Sequence, residues 1–212
     1  MTLRNDLAFL YRDIAARGLI VGSSGNVSAR TKRGGMVITP TGVSGAGVTP
    51  ASLIEMDLDG TYHSQRQPSS EWEMHAAIYA QTPAAQVIVH THSDYATALS
   101  CLNLPLPAFH YDIAQFGGAD VRVAAYATFG TPEIARNAVK AIKGRTACLL
   151  ANHGMICHAA SVEAALLTAV RLEAMARQYM IARAAGDVRL LTAAEIEATI
   201  TRYKTYGQRG QL

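Results

Sequence analysis

The chain has 212 residues, half of them apolar, with 19 Lys+Arg, 16 Asp+Glu and a formal net charge of +3. That length fits one ordinary domain, or two small ones at most, and suffices for folding without disulfides or a structural metal. The composition excludes a disordered chain, and a mild charge without a basic cluster or basic–aromatic stripe argues against a nucleic-acid partner.

Leu3, Leu7, Leu10 and Ile14 recur at helical spacing and stop before Gly18, which predicts an amphipathic helix over Leu3–Arg17. Val27–Arg30, Met36–Thr39, Ile54–Leu58 and Val87–His92 read as short strands, separated by turn residues such as Gly34-Gly35 and Asp59-Gly60. Ser70-x-x-Glu73 is a capping-box pattern, so a helix is expected from Ser70 to about Gln81. Another helix is expected from near Thr131, with Pro132 at its first position, to just before Gly144. Ala147–Ala151 and Met155–His158 follow as strands, then a long Ala/Leu-rich helix over Ser161–Ala185 that ends at Gly186. Thr192-x-x-Glu195 caps a final helix. Strands and helices mixed without strict β-α-β alternation predict an α/β or α+β sandwich with a largely antiparallel sheet. No repeat or linker composition interrupts the chain, so residues 1–212 are expected to form a single domain, with about 200–212 as a flexible tail.

Charged residues make up only 17% of the chain, against about 25% in typical soluble domains. A membrane span does not explain this, because no apolar run approaches the roughly 18 residues that a spanning helix needs. The N-terminus lacks the apolar core of a signal peptide. Cys101, Cys148 and Cys157 are odd in number and far apart, with no C-x-x-C. They fit a reduced cytoplasm, as buried packing residues. Alanine richness and a hidden oligomer surface remain as explanations of the missing charge.

The strongest chemical feature is Val87-Ile88-Val89-His90-Thr91-His92. Residues i and i+2 of a strand share a face, so His90 and His92 present two imidazoles side by side at a strand end. Two neutral imidazoles there can bind a divalent metal such as Zn²⁺, though they can also be plain polar residues. His153, in Asn152-His153-Gly154 directly after another apolar strand, is a third candidate ligand or a turn residue. His63 and His158 read as loop or surface residues, and His75 as a packing residue on its helix. No H-E-x-x-H or P-C-x-x-C occurs, which excludes a zincin protease and a zinc deaminase.

Pro68-Ser69-Ser70-Glu71 opens the helix expected at residue 70. Its serines can serve as a cap or, at the positive end of the helix, hold a phosphate, with Glu71 as a nearby general base. Gly22–Ser28 and Thr39-Pro40-Thr41-Gly42 are further turns that can donate to an anion, although neither is a Walker or dinucleotide loop.

Taken in order, G-N-x-S (Gly25–Ser28), T-P-T-G (Thr39–Gly42), P-S-S-E (Pro68–Glu71), H-x-H (His90, His92), H-Y (His110, Tyr111), Y-A-T-F-G (Tyr126–Gly130) and N-H-G (Asn152–Gly154) resemble the class II aldolase/adducin family. The likeness is nearest to its L-fuculose 1-phosphate aldolase branch and extends to Lys204–Gly207. The resemblance implies a three-layer sandwich. It implies Zn²⁺, or another divalent transition metal, on His90, His92 and His153, with Glu71 as the acid/base that also approaches the metal. Gly25, Asn26, Thr41, Gly42, Ser69 and Ser70 match positions that hold the substrate and its phosphate. Tyr111 matches a tyrosine that crosses a subunit interface to handle the aldehyde-side proton, and Phe129 and Tyr206 match aromatic positions lining the site. The implied protein is a cytoplasmic homotetrameric lyase of carbohydrate metabolism. It takes a phosphorylated sugar and involves neither nucleic acid nor membrane.

The implied reaction is retro-aldol cleavage of a deoxy-ketose 1-phosphate to dihydroxyacetone phosphate and an aldehyde. Ribulose-phosphate 4-epimerases of this fold are expected to carry Asp after the two serines, so Glu71 favours an aldolase. Methylthioribulose 1-phosphate dehydratase and a sugar-acid phosphate decarboxylase remain as alternatives. Asp112–Phe116 is bulkier and more polar than the small-residue run expected in the fuculose enzyme, which points to a 5-deoxy- or 5-methylthio-ribulose 1-phosphate. Non-enzymatic, adducin-like members would be expected to lack the histidines retained here.

Overall fold

A computed structural model of the chain describes residues 2–206. Helix α1 (Leu3–Ala16) starts where the Thr2 side chain accepts the Asn5 N–H, and it buries Leu7, Leu10, Tyr11 and Ile14. Strands β1 (Gly25–Arg30), β2 (Met36–Ile38) and β3 (Ile54–Met56) lead to α2 (Trp72–Gln81), β4 (Val87–Thr91) and α3 (Asp94–Cys101). Then come a 3₁₀ turn over Tyr111–Phe116, β5 (Val123–Ala124), α4 (Pro132–Ile142), β6 (Ala147–Leu150), β7 (Gly154–Ala159), α5 (Val162–Ala185) and α6 (Ala193–Tyr203).

The seven strands form one sheet in the order β3-β2-β1-β4-β7-β6-β5. Every pairing is antiparallel except β5 with β6. The period-2 alternation of strands sends side chains to two separate cores. Val27 and Ala29 of β1, Val87 and Val89 of β4, and Met155 and Cys157 of β7 pack with α1, α3 and α5. Ile88 of β4 and Ile156 of β7 face the opposite way, toward α2 and α4. The result is the mixed α/β layered sandwich expected, with helices on both faces of a largely antiparallel sheet. Fully buried leucines such as Leu149 and Leu172 each contribute about 1.5–3 kcal/mol.

Three expectations are corrected. The capping box at Ser70–Glu73 does not form: α2 begins at Trp72, and Glu71, at its N-cap, makes no side-chain cap bond. Ser69 Oγ instead accepts the Glu71 N–H at 3.3 Å, which frees the carboxyl of Glu71 for other contacts. His158 is not a surface residue but a buried member of β7, its Nε2 3.2 Å from the Arg145 carbonyl oxygen. Cys101 is exposed, whereas Cys148 and Cys157 are buried, and all three are free. Helix α6 runs through Tyr203, anchored by a formed capping box at Thr192–Glu195 and by buried Ile196. Residues 207–212, including Gly207 of the last motif, lie outside the described residues.

Helix α3, β5 and the 3₁₀ turn were not foreseen. Among the described residues no helix is long and apolar enough to cross a membrane.

Candidate metal centre and substrate cleft

The face of the sheet toward α2 and α4 carries the chemistry. His90 lies two residues beyond Ile88 on that face, fully buried, and His92 sits just past the end of β4. β4 pairs with β7, and the turn between β6 and β7 brings His153 to the same point. Asn152 adopts a left-handed conformation (φ 54°) to make that turn, which an asparagine tolerates. Gly154 is required after it, because a Cβ there would collide with the Thr91 carbonyl and crowd His92. The three imidazole centroids lie 4.9, 4.9 and 4.7 Å apart, each pair of rings nearly perpendicular. Glu71 enters from the turn before α2, with Oε2 3.1 Å from His90 Nε2 and Oε1 3.2 Å from His153 Nε2.

This cluster could hold a cation. The Nδ1 of His90 is 2.8 Å from the Met155 carbonyl oxygen, an acceptor only, so Nδ1 carries the proton and Nε2 presents a lone pair. That lone pair lies 3.0 Å from His92 Nε2 as well as beside Glu71 Oε2. Burial, reinforced by His90 and His153, pushes His92 down to about 4, so its ring is neutral. Burial opposes ionisation of Glu71, yet His90 and His153 beside it hold its carboxyl well below the usual range. Burial likewise works against a positive His90, but the Glu71 charge overrides it and raises its affinity for a proton. The same field favours a metal ion at that point. Glu71 Oε1 is buried without a hydrogen-bond partner, an orphan that a metal or a reacting group would satisfy. All four donor atoms lie within 4.8 Å of one another, and three imidazoles with a carboxylate match the N/O donor set of a zinc-type site. The Met155 carbonyl behind His90 fixes its tautomer, as partners of metal-binding histidines commonly do.

The cluster opens onto a cleft of about 480 Å³ whose walls include Gly25, Asn26, Thr41, Gly42, Ser69, Ser70, Glu71, His92, Phe129 and His153. Three loops meet there because their backbones are tied together. Ser69 N–H donates to the Thr39 carbonyl, Thr41 N–H to the Gln67 carbonyl, and Val27 N–H to Thr39 Oγ1. Gly25 holds φ 140°, and a Cβ there would sit 2.8 Å from the His90 carbonyl oxygen, so this wall requires glycine. Ser23, Ser24, Thr41 and Ser70 line the cleft as exposed hydroxyl residues, the last just before the N-terminus of α2, an arrangement suited to an anionic ligand.

The structure does not bring every predicted residue to the cleft. Tyr111 and Tyr206, both exposed, line a different depression with Asp112, Gln115, Arg171 and Tyr203. Asp112 accepts hydrogen bonds from Tyr203 Oη and Gln115 Nε2 there. Conversely, Tyr126 lines the cleft; it opens the Y-A-T-F-G motif but was given no role in the site, and its place three residues before Phe129 was the available signal. His75 lies outside the Glu71, His90, His92 and His153 group, packed on its helix. It is fully buried behind Glu71 and bonded to Asn26 and Ser28.

Comparison with known proteins agrees with this geometry. Residues 5–180 match the family model described as Class II Aldolase and Adducin N-terminal domain. The chain is 42% identical over 212 residues to a Rhodospirillum rubrum protein named 5-methylthioribulose-1-phosphate/5-deoxyribulose-1-phosphate aldolase, covering 100% of this chain and 96% of that protein. It is 42% identical over 193 residues to the L-fuculose phosphate aldolase of Escherichia coli O6:H1, covering 91% and 89%. A solved structure of L-fuculose 1-phosphate aldolase superposes with a TM-score of 0.91 at 38% identity, covering 95% of this chain and 96% of that one. The chain belongs to the class II aldolase and adducin family.

Proposed function

From membership of this family, we propose that the protein is a zinc-dependent lyase. It cleaves a ketose 1-phosphate between C3 and C4 to dihydroxyacetone phosphate and an aldehyde. The single observation that carries this reading is the convergence of His90, His92, His153 and Glu71, the last three lining a cleft walled by serine, threonine and glycine loops. A metal at one end and anion donors at the other suit a substrate with a carbonyl–hydroxyl pair next to a phosphate. The substrate we favour is 5-deoxyribulose or 5-methylthioribulose 1-phosphate. Supporting this are the name of the Rhodospirillum rubrum relative, matched over the whole chain, and the polar segment after Tyr111.

His90, His92 and His153 would hold the metal, with Glu71 able to approach it. A divalent ion bound there supplies a Lewis acid for the negative charge that develops on the ketose oxygens as the bond breaks. Gly25, Asn26, Thr41, Gly42, Ser69 and Ser70 anchor the phosphate end, so that its binding orients the reacting carbons. Glu71 delivers a proton to the carbon that becomes C1 of dihydroxyacetone phosphate, and in synthesis it removes that proton. Tyr111 exchanges the proton of the C4 hydroxyl. Its exposure and its distance from this protomer's cleft fit a tyrosine supplied to the cleft of a second copy. Tyr206 and Phe129, 76% and 64% exposed, would then be covered in a homotetramer with sites between subunits. Such an interface also accounts for the low charge of the chain, because interface cores are depleted in charge. The free cysteines suit a reducing cytoplasm.

The test is a cleavage assay of the metal-loaded protein on a panel of ketose 1-phosphates, detecting dihydroxyacetone phosphate. A 5-deoxy- or 5-methylthio-pentulose phosphate turned over faster than fuculose 1-phosphate supports the full reading. A product that keeps all its carbons would replace the aldolase by a dehydratase or an epimerase.

A further inference from the structure

From Glu71 and Asn26 in the cleft wall, a line of buried polar side chains runs inward, away from the cleft, through His75 and Ser28 to Tyr79. Asn26 and Ser28 are two apart on β1 and so share the face turned toward α2. His75 and Tyr79 are four apart on α2 and so share one side of that helix. The two periodicities interlock. Asn26 Nδ2 donates to Glu71 Oε2 at 3.0 Å, and His75 Nε2 is 2.6 Å from Asn26 Oδ1. His75 Nδ1 is 2.7 Å from Ser28 Oγ, which is 2.9 Å from Tyr79 Oη. Ser28, His75 and Tyr79 are at most 1% exposed.

The charge on Glu71 fixes the direction of every bond in this line. An ionised carboxylate only accepts, so the Asn26 amide must turn its NH₂ toward Glu71 and its oxygen toward His75. That oxygen also only accepts, so His75 must carry its proton on Nε2. A neutral ring then has an unprotonated Nδ1, which takes the single hydroxyl proton of Ser28. With that proton committed, Ser28 can only accept from Tyr79. We propose that His75, held as the Nε2–H tautomer by Ser28 and Tyr79, is a positioning residue for Asn26 and, through it, for Glu71. The line keeps Oε2 of Glu71 as a permanent acceptor and leaves Oε1, which takes no bond from the line and faces only the His153 ring nitrogen at 3.2 Å among the contacts described, as the oxygen that carries the transferred proton. A histidine that merely filled space would not require this tautomer or this amide orientation.

The inference rests on Glu71 as the acid/base, and its test separates the two. In the metal-loaded protein labelled with ¹⁵N-histidine, the His75 resonances, assigned by their loss in His75→Gln, should show a pyrrole-type Nε2 and a pyridine-type Nδ1. The opposite tautomer overturns the proposal whatever the activity. In kinetics, His75→Leu removes the donor to Asn26, whereas the Gln side chain keeps an N–H near the place of Nε2. His75→Leu should slow exchange of the dihydroxyacetone phosphate C1 proton by about 10- to 100-fold, the usual effect of removing a partner behind a metal-site ligand. Metal content and KM should stay within about twofold, and His75→Gln should recover most of the rate. Equal loss in both variants, or none in either, overturns the proposal. Should His75→Leu fail to fold, Ser28→Ala replaces it: slower exchange at unchanged KM supports the line, and an unchanged rate refutes it. If Glu71→Gln itself left exchange intact, the acid/base role would fall while the tautomer result stood.

Discussion

The two regions that carry the proposed site are built in opposite ways. The metal cluster is assembled on the central strands: His90 is fully buried, its ring fixed by the Met155 carbonyl, and Glu71 is 6% exposed and held by Asn26. The aromatic rim of Tyr111 and Tyr206 sits on a 3₁₀ turn and at the end of α6, with the two tyrosines 52% and 76% exposed. One region is gathered within a single chain, while the other, in the proposed tetramer, would be covered by a second copy. The contrast assigns to the first what must be held to a fraction of an ångström, namely metal and proton transfer, and to the second what changes with the aldehyde.

The hardest blow to that contrast falls on the cluster. His92→Ala removes one of three imidazoles, and the bound metal measured by elemental analysis should drop to background. Activity should fall at least about a thousandfold, since Lewis-acid stabilisation supplies several kcal/mol. Because His92 lies just beyond the end of β4, circular dichroism should remain native. Full metal content with normal turnover would dissolve the cluster as a functional unit.

Glu71→Gln tests whether the cluster moves protons as well as holding an ion. The amide keeps the shape, so metal should stay bound, while exchange of the dihydroxyacetone phosphate C1 proton into heavy water should slow by about 10²- to 10⁴-fold. Tyr111→Phe probes the other region, and its effect should be smaller and differently placed. Cleavage should fall by about 10- to 100-fold with C1 exchange nearly intact. Equal losses of both reactions would erase the division between the two regions. Mixing Tyr111→Phe subunits with Glu71→Gln subunits sharpens it further: partial recovery of cleavage in the hybrid is expected only if Tyr111 serves a neighbour's cleft.

The same contrast separates what was legible in the sequence from what was not. His-x-His on an apolar run specified its own geometry, since strand periodicity alone puts His90 and His92 together. Asn26-x-Ser28 carried the same kind of signal, but a strand-end asparagine and serine look like turn residues until α2 is placed against them. The start of α2 was misread because Ser70-x-x-Glu73 meets the local capping rule, while the tertiary pull on Glu71 toward His90 and His153 decides the outcome. Helix α3 was invisible for a related reason. Its first N–H groups, those of Tyr95 and Ala96, are capped at 2.9 Å by Glu173 of α5, far away in sequence. The role proposed for Tyr111 had no local signal at all and rests entirely on family resemblance, as expected if the cleft it serves belongs to a second copy.

The mildest prediction concerns stability and returns to the buried side. Burial pushes His75 down to about 3, against about 6.5 in an unfolded chain. A histidine whose folded-state affinity for protons is depressed binds more protons when unfolded. Its contribution to stability is therefore full above pH 6.5 and is lost as the pH falls from there toward 3. Between pH 7 and 5.5 this one group should cost about 1 kcal/mol, or a few degrees in Tm for a chain of this length. The other buried carboxylates and imidazoles titrate too, so the measurement is a difference. Thermal unfolding of the wild type and of His75→Gln, each followed across that pH range, should show a shallower decline in the variant, because an amide takes up no proton. Parallel declines would mean that His75 is already protonated in the folded protein. In that case its ring could not accept from Ser28, and the buried side would lose the fixed polarity that distinguishes it from the rim.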